Sequence, residues 1–339
     1  MSGAFIRIPD RMGTEYILNL ARHLDYYAKR DSIRIEFADP CFLSPFGLLF
    51  ISSKLKDMRR QNPELEFDVR NHEGLTYAGH MGFFRMFGVK FGREIGEAFG
   101  NENYLPITCL SRTDLYKDPI DRYTELGDLI QRESEKISTI ITRNNQCNRP
   151  LSDALAFSIR EVMRNVFEHS EANEVYYCAQ YWPNSGRVEF ALVDFGIGIR
   201  RGLGENPNFR FPRDKDAIEY ALLPSVSGKT HLPRRSENWF NSGYGLYMTN
   251  RLARNGGGNF VVASGNTAIQ LSRKTKHNFT TAFPGTALRF NLKLSELDNV
   301  QAQLDRFRKE GFEIAKTIKG TQNRPPSAMS LLLRRDYTQ

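Results

Sequence analysis

A chain of 339 residues, 40% hydrophobic and 25% charged, has the makeup of a globular protein long enough to bury two cores. Its formal charge is +8, and residues 301–339 carry eight basic against four acidic side chains, so half of the excess lies in a C-terminal tail. That basicity comes without an RNP, zinc-finger or helix-turn-helix signature, so nucleic acid is not the expected partner. The longest apolar patch, Cys41–Ile51, is broken by Ser44, Pro45 and Gly47 and is too short to span a bilayer, and no signal peptide is evident. Cys41, Cys109, Cys147 and Cys178 lie far apart with no CxxC pair, which argues against a zinc site or a disulfide framework and fits a cytoplasmic location.

Arg11–Arg30 is predicted to be the first helix. Ile33–Phe37 alternates apolar and charged residues, the pattern of a half-buried strand. Leu48, Ile51, Leu55 and Met58 recur at helical spacing through Leu48–Arg60, and Asn62-Pro63 ends that helix before a strand at Leu65–Val69. A glycine-rich stretch, Gly74–Gly100, and an extended segment at Tyr104–Leu110 follow. Asp121–Asn144 carries Leu126, Leu129, Ile130, Ile137 and Ile140 on one side, an amphipathic helix suited to packing on a neighbour or to signalling and dimerisation.

After Pro150 the pattern predicts a helix at Leu151–Ser170 and strands at Glu174–Tyr181 and Arg187–Val193 around an Asn184-Ser185-Gly186 turn. An irregular region, Ile199–Asn241, precedes a helix at Gly245–Asn255. Strands at Asn259–Ser264, Ala268–Ser272 and Thr286–Leu294 and a closing helix at Ser295–Phe312 complete the chain. The expected fold class is α/β in the broad sense (α+β). Its divisions are an α/β domain at 1–110, a connecting helix at 111–149, a second domain at 150–295, and a helix with a basic tail at 296–339.

Four elements of the second domain carry chemistry. In SIREVMRNVFEHS (158–170), Glu161, Asn165 and His169 are four residues apart and share a helix face with about 40° of drift per step. An amide oxygen can ligate magnesium, and a carboxylate one turn earlier can orient water or take a hydroxyl proton; a solvated helix face would show the same spacing. VDFGIG (193–198) puts Asp194 at a strand end, able to accept from an exocyclic amine, with glycines that let a ring approach the backbone. NSGYGLYMTNRLARNGGG (241–258) sets Gly243 and Gly245 before the free N–H groups of a helix start, which attract anions. Pro284-Gly285-Thr286 is a turn entering the last strand.

In this order and spacing the four elements resemble the N, G1, G2 and G3 boxes of the GHKL ATPase superfamily. That superfamily includes gyrase B, heat-shock chaperone ATPases, MutL-type repair proteins, histidine kinases and anti-sigma-factor serine kinases. The resemblance implies a Bergerat-type pocket for ATP and Mg2+ in a sandwich whose mixed sheet is covered by helices. It implies that Asn165 holds magnesium, Glu161 is the general base, Asp194 reads the adenine amine and Thr286 supports the adenine site through water. Gly196, Gly198, Gly243, Gly245 and Leu246 would shape the base and phosphate contacts. The 199–241 stretch resembles the ATP lid. Its SVSGKT (225–230) looks like a Walker A ending, but Leu223 stands where the first glycine belongs. Lys229 is therefore read as a lid cation near the phosphates, with Arg234 and Arg235 as further candidates. His23, His72 and His80 lack the acidic residue and proline of a histidine-kinase acceptor box.

IEFADPCFLSPFGLLFISSKLKDMRRQNPELEFDV (35–69) resembles the centre of STAS domains, the fold of anti-sigma-factor antagonists. Gly47 matches the family glycine. Ser44 stands at the usual acidic position, and Pro45 and Phe46 replace the usual hydroxyls, so Ser44 is expected to lead into the helix and not to accept phosphate. Together the resemblances imply a cytoplasmic switch whose magnesium-dependent ATP hydrolysis is coupled to a regulatory protein partner. A second copy of the chain is an alternative partner. A serine/threonine kinase of the anti-sigma-factor type and a non-catalytic ATP-binding module are the alternative functions.

Overall fold

The structure is a computed structural model and describes residues 3–113, 126–143, 149–229 and 243–318. Its first unit alternates β1 (Ala4–Ile8), α1 (Thr14–Asp25), β2 (Ser32–Phe37), α2 (Pro45–Gln61) and β3 (Glu66–Arg70). The three strands are parallel in the order β1-β2-β3. Stepping one way across the sheet puts both crossover helices on one face. Ser44 caps α2, its Oγ accepting from the Gly47 N–H at 3.2 Å, and Pro45 fills the first turn. The glycine-rich stretch holds two short helices, α3 (Thr76–His80) and α4 (Phe83–Met86). Around α4, Phe83, Phe84 and Phe87 pack edge-on against Phe37 and Phe67.

The second sheet runs in the order β4-β5-β6-β8-β7. Its strands are β4 (Tyr104–Ser111), β5 (Glu174–Trp182), β6 (Arg187–Asp194), β7 (Asn259–Ser272) and β8 (Lys276–Lys293). Every described pairing is antiparallel, so the expected mixed sheet is corrected to an antiparallel one built largely from hairpins. β4 pairs with β5 and forms the edge of this sheet, although nearly all of it precedes residue 110. β7 is continuous where two strands were expected, and β8 begins ten residues ahead of its expected start at Thr286.

The remaining helices are α5 (Leu126–Ile141), α6 (Arg149–His169), α7 (Gly198–Gly204), α8 (Asp214–Ala221), α9 (Gly245–Asn255) and α10 (Val300–Thr317). The region expected to be irregular therefore contains α7 and α8. α5 packs on α6, Ser138 Oγ donating to the Ser152 carbonyl at 2.5 Å, and Tyr177 ties it to the sheet by donating to Glu133 at 2.9 Å. α10 runs five residues beyond its expected end, and its last turns bury Gly311 and Ala315.

Strand alternation gives the sheet two apolar faces. Val188, Phe190, Leu192, Leu288 and Phe290 join the core beneath α5, α6, α9 and α10. Tyr176, Cys178, Ala191, Val193, Val261 and Ala287 join the core of the N-terminal unit, so α1 and α2 lie between the two sheets. Phe50 of α2 stacks on Phe283 with ring centroids 4.8 Å apart, and Thr281 donates to the Leu18 carbonyl of α1 at 2.8 Å. Phe46, at the start of α2, donates its N–H to Glu189 of β6 at 2.9 Å. Leu43 and Phe46 are buried at this junction, whereas Phe42 is exposed. No helix among the described residues is long and apolar enough to cross a membrane.

Candidate functional site

On the helix-covered face a cleft opens between α6, the end of β6, α7, residues 226–228 and the start of α9. It encloses about 780 Å³ of non-atom space, the open solvent at its mouth included. Leu192, Val262 and Leu288 of the sheet and Val162, Val166, Ile199, Leu203 and Leu246 around it make the lining largely apolar. The polar side chains are Asn165, His169, Ser170, Asp194, Ser227 and Thr286.

Asp194 closes the C-terminal end of β6 and is almost fully buried. The Gly196 N–H donates to its Oδ1 at 2.8 Å. Burial pushes its carboxyl up to about 7, although hydrogen bonds from Gly196 and from the backbone and hydroxyl of Thr286 pull the other way. The turn that follows is fixed to the end of α6, Ile197 N–H donating to the Ser170 carbonyl at 2.7 Å. Gly198 has φ +75°, and a Cβ there would meet Ser264 Oγ at 2.8 Å, so a side chain would displace the very hydroxyl that accepts from Ile199 N–H. On the opposite wall Gly243 has φ +72°, with the backbone of Val226 where its Cβ would stand.

His169 is held neutral. Burial and the charges of Lys229 and Arg164 push its imidazole down to about 3, and its Nε2 lies 3.2 Å from Ser227 Oγ. Lys229 lies beside the cleft and does not line it: its Nζ donates to the Glu168 carbonyl at the end of α6. Gly196 likewise sits behind the lining, packed on Ser170. Arg234 and Arg235 lie outside the described residues.

Asn165, Asp194, Gly198, Gly243, Gly245, Leu246 and Thr286 all line this one cleft. Glu161 does not. The drift of a helical i, i+4 row turns it from the opening toward α9, where it is buried against Gly245 and paired with Arg160 and Arg164 at 3.0 and 3.4 Å. Sequence reasoning passed over Ser170, Gly202, Ser227 and Gly228 as lining residues. The second pair lies within SVSGKT, where a glycine beside small polar residues was the available signal. Among the described residues no group of three or more His, Cys, Asp or Glu could hold a metal ion. Asn165 could offer one amide oxygen to a cation that keeps most of its own waters.

No protein-family model, curated protein or solved structure matches the chain. Fold and site define an α/β protein in which a parallel βαβαβ unit backs an antiparallel sheet, with a helix-walled cleft on the sheet's other side.

Proposed function

We propose that the chain binds ATP with magnesium in this cleft and hydrolyses it as a switch for a partner protein, in the manner of GHKL ATPases. The observation that carries the reading is convergence. Asn165, the Asp194–Gly198 turn, the Gly243–Leu246 helix start and Thr286 come from four separate stretches of chain and face one space. The apolar lining suits an adenine ring, whose exocyclic amine would donate to Asp194. Tyr244, the N-cap of α9, makes no side-chain cap bond, and the N–H groups of the first helical turn would suit the phosphates. Asn165 would hold magnesium, which would neutralise phosphate charge when bound. Lys229 would turn from the Glu168 carbonyl to the phosphates as the 226–229 segment closes. The N-terminal unit is read as STAS-like, with the start of α2 turned inward onto Glu189, so a regulatory partner would meet other surfaces of it.

Calorimetric titration with ATP and with GTP, each with magnesium and with EDTA, tests the binding reading. Saturable ATP binding that needs magnesium and exceeds GTP binding is expected; no binding, or equal binding of GTP, contradicts it. γ-Labelled ATP then separates the fates of the phosphate: free phosphate for hydrolysis, labelled protein for a kinase, neither for a binding module.

A further inference from the structure

The geometry points to Arg160 and Arg164 as positioning residues for Glu161, gripping one carboxylate oxygen so that the other faces the start of α9. This rests on reading the cleft as an ATP site. Arg160 Nη2 donates to Glu161 Oε1 at 3.0 Å, and Arg164 Nη1 donates to the same oxygen at 3.4 Å. The other oxygen, Oε2, lies along the first residue of α9: a Cβ built on Gly245 would stand 3.2 Å from it. Gly245 is itself part of the cleft wall, so a water at the phosphate end of the cleft would be close to Oε2.

Both arginines are fixed from behind. Arg160 donates to Gln131 of α5 at 3.2 Å and lies over the Phe157 ring, 5.2 Å from its centroid. Arg164 donates to Glu168 at 2.6 Å. All three members of the group are more than nine-tenths buried. A buried carboxylate needs counter-charge, and two anchored guanidiniums supply it while restricting the carboxylate to one orientation.

In the step served, the water oxygen bonds to the γ-phosphorus as Oε2 takes the water proton. The bond from that phosphorus to the bridging oxygen breaks, its electron pair leaving on ADP. Phosphate and ADP depart, and the proton passes from Glu161 to solvent.

The test uses the full chain and compares wild type, Arg164→Met, Arg164→Lys and Glu161→Gln for magnesium-ATP affinity by calorimetry and for phosphate release at saturating ATP. Arg164→Met is expected to lower kcat about 10- to 100-fold with Kd within about twofold of wild type, and Arg164→Lys to recover part of the loss. Glu161→Gln is expected to lower kcat by roughly 10²- to 10⁴-fold, also without loss of affinity. If Arg164→Met does not fold, Gln131→Leu, which loosens Arg160 alone, is expected to lower kcat with Kd unchanged. Wild-type kcat in a folded Arg164→Met or Gln131→Leu protein overturns the proposal, as does a parallel loss of affinity and turnover. A wild-type chain that binds ATP but releases no phosphate also overturns it and leaves the binding reading standing; failure to bind ATP sinks that reading itself.

Discussion

The two faces of the antiparallel sheet are built from alternate residues of the same strands and are used in opposite ways. On the N-terminal side, small residues such as Ala191, Ala263 and Ala287 join a core that also contains Phe46, Phe50 and Phe283. The polar atoms there pair across the junction, as Phe46 N–H does with Glu189 and Thr281 with the Leu18 carbonyl. On the other side the apolar residues continue under α6 and α9, but the layer parts beside Asp194, where glycines stand in place of side chains and polar groups face the gap. One face is filled and the other leaves a space with chemistry around it. With the open face proposed as the nucleotide site and the filled face as the source of stability, substitutions can separate the two.

The largest effect is expected on the open face. Asn165→Ala should abolish magnesium-dependent ATP binding while leaving the melting temperature near that of wild type, since Asn165 is only partly buried at the cleft wall. Unchanged affinity in calorimetry would remove Asn165 from the metal site. Phe50→Ala makes the converse test on the filled face. Phe50 has no exposed surface and stacks on Phe283, so its truncation should cost about 3–5 kcal/mol in denaturant unfolding. The protein that remains folded should bind ATP as wild type does. A large loss of affinity instead would mean that the N-terminal layer shapes the cleft through the sheet.

Much of the open face was legible in the sequence because its residues sit in short local motifs: Asn165 on an amphipathic helix, Asp194 before glycines, Gly243 and Gly245 before a helix. What joins those motifs to the rest of the molecule was not. Strand pairing is non-local, so nothing within Tyr104–Ser111 announces that it borders β5, some 70 residues later in the chain. β1 alternates over only five residues, too few to stand out from noise. α7 and α8 are seven and eight residues long among glycines and prolines that usually mark loops. The burial of Glu161 depends on Gly245, 84 positions away, and no helical wheel drawn on α6 alone contains it.

A smaller, graded effect should come from pH. The carboxyl of Asp194 is raised from 3.8 to about 7 by burial, so the folded protein holds this proton more tightly than the unfolded chain. Its contribution to stability is therefore fully present below about pH 4 and is lost as pH rises through about 7. Asp194→Asn should flatten that part of the profile in denaturant unfolding. The carboxylate is a stronger acceptor for an amine than the protonated acid, so affinity for adenosine, which carries no phosphate to titrate, should fall as pH drops below about 7. Affinity that does not vary between pH 5 and 8, a span bracketing that value, would show that Asp194 does not meet the amine.

Hydrogen exchange with and without magnesium-ATP tests the division between the two faces most directly, because it reads every backbone segment in one experiment. Added protection is expected at the end of α6, in the turn after Asp194, at residues 226–229 and at the start of α9, with α1 and α2 unchanged. Protection confined to α1, α2 or the parallel sheet, or no protection at all under saturating nucleotide, would contradict it.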